Sequence, residues 1–151
     1  MGQSLSQMYI HLIFGTKGRQ PFINPECEHR LHTYMDGILK EMESPAILIN
    51  SVPDHVHILF RLSKNYALAK VVEMVKKDSS KWMKTIVHGD KHFTWQIGYG
   101  AFSVSSSALK TVERYILNQK KHHEIQSLQD EFEDYIKHYD IIEYDPKYFW
   151  D

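Results

Sequence analysis

The chain has 151 residues, 42% of them hydrophobic and 25% charged, the size and composition of one globular domain, which excludes a disordered or fibrous chain. No apolar run approaches the roughly 18 residues of a membrane span, no basic and then apolar leader is visible at the N-terminus, and Cys27 has no second cysteine to pair with. An internal disulfide framework and a multi-cysteine zinc cluster are therefore excluded, and a soluble cytoplasmic protein is expected. The net charge of −1 conceals an asymmetry: residues 124–151 hold nine acids against Lys137 and Lys147, which leaves +6 on residues 1–123. A basic body that suits an anionic partner thus carries an acidic appendage.

Met8-Tyr9-Ile10-His11-Leu12-Ile13-Phe14 is rich in β-formers and predicts a strand, followed by a Gly15–Arg19 loop. Asn24-Pro25 supplies a cap and a first-turn proline for a helix over 26–43, striped by Leu31, Tyr34, Ile38 and Met42. Ala46–Val52 and His55–Leu62 read as strands so closely joined at Pro53-Asp54 that they form an antiparallel hairpin. From Tyr66 to Val87 the period lengthens to that of a helix, with Leu68, Val71, Val72, Val75, Trp82, Met83 and Ile86 on one face and Lys70, Lys77, Lys81 and Lys84 on another. His88-Gly89-Asp90 stops it. Phe93–Val104, punctuated by Gly98 and Gly100, predicts a strand or bent hairpin. The serines at 105–107 offer caps for a helix from Ala108 to about His123, and Leu128–Tyr139 predicts an acidic amphipathic helix before an irregular aromatic end, Tyr144–Trp150. The order β-α-β-β-α-β, then helices, is an α+β, ferredoxin-like split-βαβ pattern: an antiparallel sheet with two helices on one face, the other face available, and a C-terminal helical extension.

Three elements carry chemistry. His55 and His57, two apart on a strand, project from the same side while Val56 and Ile58 face the core. Two neutral imidazoles so placed make half of a divalent-metal site, although a His-x-His arises easily in a chain with ten histidines. Tyr115 and Gln119 stand one turn apart on a helix and bring an oxygen nucleophile and a neutral oxygen ligand to one face. Trp95–Val104 has glycines that permit a bend beside a site. Taken singly, each also reads as structure: paired strand histidines, a half-buried helical tyrosine beside a solvated glutamine, an aromatic hairpin.

In this order, Pro53-Asp54-His55-Val56-His57-Ile58-Leu59, then Trp95–Val104, then Tyr115-Ile116-x-x-Gln119, with a weaker His11-Leu12-Ile13-Phe14-x-Thr16-Lys17, the sequence resembles the single-tyrosine HUH transposases of bacterial insertion sequences, IS200-like and REP-associated tyrosine transposases. The resemblance spans residues 8–123. It implies a catalytic domain over 1–123, with 124–151 an acidic extension of the same domain. It further implies that His55, His57 and Gln119 bind a divalent metal, Mg²⁺ or Mn²⁺, and that Tyr115 attacks single-stranded DNA to give a 5′-phosphotyrosine and a free 3′-OH. The implied partners are DNA with hairpin ends and a second copy of the chain, in a homodimer able to exchange its tyrosine helices in trans; no membrane is involved.

Lys17, Arg19, Lys120 and Lys121, with His122, are candidate phosphate contacts. His11 shares a face with Tyr9 and Ile13 and is expected as a core histidine or a partner behind the site. His29 and His32, without a third ligand, are expected on the surface. Competing functions are a replication or transfer nickase with the same chemistry, a non-catalytic single-strand binding module stacking bases on the open sheet, and a histidine-based metal hydrolase. The last lacks a carboxylate near the histidines apart from Asp54.

Overall fold

Residues Met8–Gly15 (β1) run through the middle of a four-stranded antiparallel sheet that also contains Ala46–Val52 (β2), His55–Leu62 (β3) and Gly100–Val104 (β4), in the order β2-β3-β1-β4. Two helices, Pro25–Glu41 (α1) and Leu68–Met83 (α2), supply the crossovers, so the split-βαβ order holds. Leu109–Leu117 (α3), Gln119–His122 (α4), Leu128–His138 (α5) and Pro146–Phe149 (α6) follow. The computed structural model describes residues 2–122, 127–138 and 144–150. Among the described residues no helix is long and apolar enough to cross a membrane.

Local chemistry sets the ends of these elements. Asn24 caps α1 by accepting from the Cys27 amide at 3.2 Å, with Pro25 in the first turn where a missing N–H costs nothing. The helix after Tyr66 ends at Met83, four residues short of expectation, and His88 takes a left-handed φ of 67° beyond it. The 93–104 segment is a strand only from Gly100; before it a single bridge joins Trp95 to Thr16.

Alternation along β1 and β3 sorts the side chains into two cores. Ile10, Leu12, Phe14, Val56, Ile58 and Phe60 pack against Leu31, Met35, Val71, Val72 and Val75 under α1 and α2. The face that the ferredoxin order leaves open is covered here by α3, α4 and α5. Leu59, Val104 and Ile116 form one cluster there, and Ile13, Phe102, Leu128 and Phe132 another. Gly100 makes the second possible, since a Cβ there would meet the Phe132 ring, and one at Gly98 would meet the Phe149 carbonyl. Those glycines clear a seat for the C-terminal segment, a different task from the bend expected of them.

Candidate metal centre

In register, His57 pairs with Ile13 of β1 and Asn50 of β2, and His55 with Gly15 and Val52. Both imidazoles point away from the α1/α2 core, yet both are fully buried, because α3–α5 lie over them. Burial without partners would be costly for a polar ring, and each ring has them. His55 Nδ1 lies 2.7 Å from Asp54 Oδ1, and its Nε2 lies 3.3 Å from Gln119 Oε1. His57 Nδ1 lies 2.8 Å from His11 Nε2, and its Nε2 lies 3.3 Å from Glu131 Oε1. Both Nε2 atoms therefore face one centre while both Nδ1 atoms are held from behind, the pattern that fixes ring orientation in metal-binding histidines. His11 is the partner behind the site. Burial, first, and the neighbouring His57 hold its pKa well below the usual histidine value, so the contact joins a neutral His11 ring to His57 Nδ1.

Glu131, 4% exposed, comes from the acidic segment and is the residue the sequence reading missed. Its Oε1 also accepts from Gln119 Nε2 at 3.3 Å. Donor atoms of His55, His57 and Glu131 all lie within 4.8 Å of one another, and with the Gln119 carbonyl oxygen alongside, this nitrogen and oxygen set could hold a metal ion. Asp54 lies behind His55, so the carboxylate on the Nε2 side of the pair is supplied from more than seventy residues away. One signal was available: in Leu128–Tyr139, Glu131 stands next to the apolar Phe132 and i+3 from Leu128, on the buried edge of the amphipathic helix.

Tyr115 stands over the same centre, its ring 5.9 Å from that of His57, 6.2 Å from His11 and 5.6 Å from Tyr135. Its hydroxyl hydrogen-bonds to Glu131 and Tyr135. Burial above all, then the Tyr135 hydroxyl and the Glu131 carboxylate, push its pKa far above the ordinary phenol value, so the resting hydroxyl is protonated. Tyr115 and Gln119 do not share one continuous helix. It breaks at Asn118, whose N–H turns back to Arg114 and Tyr115 carbonyls at 3.1 and 3.3 Å, and Gln119 opens α4.

The family model of IS200-like transposases matches residues 4–119, which span β1 to the first residue of α4. This chain belongs to the IS200-like transposase family. Among the solved structures that share its fold are a candidate transposase from Deinococcus radiodurans R1, 22% identical over 79% of this chain and 96% of that one with a TM-score of 0.60, and a REP-associated tyrosine transposase bound to a REP hairpin, 12% identical over 82% of this chain and 74% of that one with a TM-score of 0.61. No curated protein matches. Glu131 lies outside the family match, so the transposase pattern alone does not include it.

The basic candidates are less concentrated. Lys17 is exposed in the turn Lys17–Arg19. Arg19 turns toward the C-terminal segment, donating to Gln129 Oε1 at 3.0 Å, its guanidinium 5.5 Å from the Trp150 ring centroid. Lys120 donates to Glu28 Oε1 at 2.8 Å and to the Ser51 carbonyl at 3.2 Å. Lys121 is exposed, and the side chain of His122 lies outside the described residues, as does Tyr139 at the end of the expected acidic helix. In the α2 stripe, Lys70 pairs with Glu73 at 3.6 Å and Lys84 donates to Ser80. His29 is exposed as expected. His32 is not: it is half-buried against Ser51 Oγ at 2.8 Å, and burial lowers its pKa to about 4.

Proposed function

We propose that this transposase cleaves and rejoins single-stranded DNA through a 5′-phosphotyrosine on Tyr115, at a centre where His55, His57 and Gln119, joined by Glu131, hold Mg²⁺ or Mn²⁺. The observation that supports it is the convergence of one phenol, two imidazole Nε2 atoms, a carboxamide and a carboxylate at a single buried point. A cation there would neutralise charge on the scissile phosphate and stabilise the leaving 3′-oxygen. The chain's own residues do the rest. Attack joins the phenolic oxygen of Tyr115 to phosphorus and breaks the bond to the 3′-oxygen; the phenolic proton has an acceptor in place, the Glu131 carboxylate. A protonated phenol is a poor nucleophile, so the Tyr135 contact must give way to the phosphate as DNA binds while the Glu131 carboxylate stays in place to take the proton. Asp54 and His11 keep the two rings aimed while this happens.

The stored phosphotyrosine lets a second 3′-OH displace the phenolate and reseal a strand without ATP. Residues 1–123 carry the catalytic residues except Glu131, which 124–151 supplies as an extension of the same domain. Tyr115 already stands beside the histidines of its own chain, so a homodimer would serve to hold two hairpin ends as well as to exchange helices in trans. The solved relative bound to a REP hairpin supports DNA hairpins as the partner. The covered sheet face argues against a module that stacks bases on an open sheet. The test is incubation with single-stranded oligonucleotides carrying the flanking genomic palindromes and Mg²⁺ or Mn²⁺. A denaturing gel should show a covalent adduct that Tyr115→Phe removes while hairpin binding persists; an adduct surviving in that variant would overturn the assignment.

A further inference from the structure

We infer that Asn50, Lys120 and Glu28 are positioning residues that hold Gln119 against His55 by fastening the break between α3 and α4 to the edge of the sheet, an inference that rests on the metal-binding role proposed for Gln119. In an unbroken helix the Ile116 carbonyl would accept from the amide of Lys120. The break at Asn118 frees that carbonyl, and Asn50 Nδ2 donates to it at 2.8 Å. Asn50 lies on β2, an edge strand, in register with His57. One residue past Gln119, the Lys120 side chain passes round the same edge. Its ammonium donates to Asn50 Oδ1 at 3.5 Å and the Ser51 carbonyl at 3.2 Å on β2, and to Glu28 Oε1 at 2.8 Å on α1. Glu28 Oε1 also accepts from Ser51 Oγ at 3.0 Å, and Ser51 in turn accepts from the neutral ring of His32 at 2.8 Å. The two sides of the break are thus tied to one strand by different side chains.

The tie has a physical reason. A four-residue helix cannot hold a direction by its own hydrogen bonds, because nucleation costs more than one turn returns. Gln119 is fully buried, and its Oε1 lies 3.3 Å from His55 Nε2, near the outer limit of a useful contact. A small swing of α4 removes it. The ion pair with Glu28 and the charge-assisted bonds to Asn50 and Ser51 resist that swing, while the lysine itself is 61% exposed, so the fold does not depend on it. The same three acceptors leave the ammonium engaged within the protein, which separates this role from a phosphate contact.

The measurement is Mn²⁺ alone, titrated into the full-length protein by calorimetry, with the electron paramagnetic resonance of bound Mn²⁺ as a second readout. Lys120→Met and Asn50→Ala should each weaken Mn²⁺ about 10- to 100-fold, the usual effect of losing a group behind a ligand, and Glu28→Gln should weaken it less. In a Gln119→Ala background, Lys120→Met should add nothing, because the side chain it positions is gone. Salt dependence of hairpin binding should keep its slope in Lys120→Met. Unchanged Mn²⁺ affinity in both Lys120→Met and Asn50→Ala, with Gln119→Ala weakened, would overturn the positioning role and leave the metal centre standing. A slope reduced by about one would overturn it in favour of a phosphate contact. Unchanged affinity in Gln119→Ala would sink the ligand role of Gln119, and the positioning role with it.

Discussion

The two faces of one sheet are equally dry and chemically opposite. On β3, Val56, Ile58 and Phe60 enter the α1/α2 core while His55 and His57 enter the layer under α3–α5, and all five are fully buried. Hydrocarbon asks only for contact, so the first face is assembled from nearest apolar neighbours. Imidazoles ask for partners in direction as well as distance, so the second face recruits Asp54, His11, Gln119 and Glu131 from four separate places in the chain. The buried functional layer is held by addressed polar contacts laid over a small apolar base, here Phe102, Leu128 and Phe132.

Substitutions can break that contrast. The largest effect belongs to Tyr115→Phe, which should lower adduct formation by at least about 10³-fold with little change in thermal stability. Next, Phe132→Ala on the functional face and Met35→Ala on the other should each cost about 2–5 kcal/mol in urea unfolding. Only Phe132→Ala should also weaken Mn²⁺ binding, since Phe132 seats the helix that delivers Glu131. Equal Mn²⁺ affinity in both variants would mean that α5 does not serve the centre. His11→Ala should weaken Mn²⁺ about 10- to 100-fold by releasing His57 Nδ1, a loss read by calorimetry.

The smallest effect is on pH. His32 titrates near 4 when folded and near 6.5 when unfolded, so below about pH 6.5 the unfolded chain takes up the proton first. Stability is full above that value and declines as the pH falls toward 4; buried His11 acts in the same direction. His32→Asn should flatten the difference between unfolding measured at about pH 7 and about pH 5. An unchanged difference would place the acid sensitivity elsewhere.

The order of strands and helices, the bounds of β2 and β3, and the side of β3 from which His55 and His57 project were all legible in the residues. These follow from periodicity, caps and a two-residue turn, all local. Tyr115 and Gln119 were legible as a pair, but the break at Asn118 was not, because it depends on Asn50 accepting the task of satisfying the Ile116 carbonyl. The placement of His32 depends likewise on Ser51, nineteen residues away. That the acidic segment folds back over the sheet and sets Glu131 beside His57 emerges from the packing alone. A carboxylate on a charged amphipathic helix looks solvated until a neighbouring element removes its water, and which element does so is a property of the packed chain, not of the residues around it.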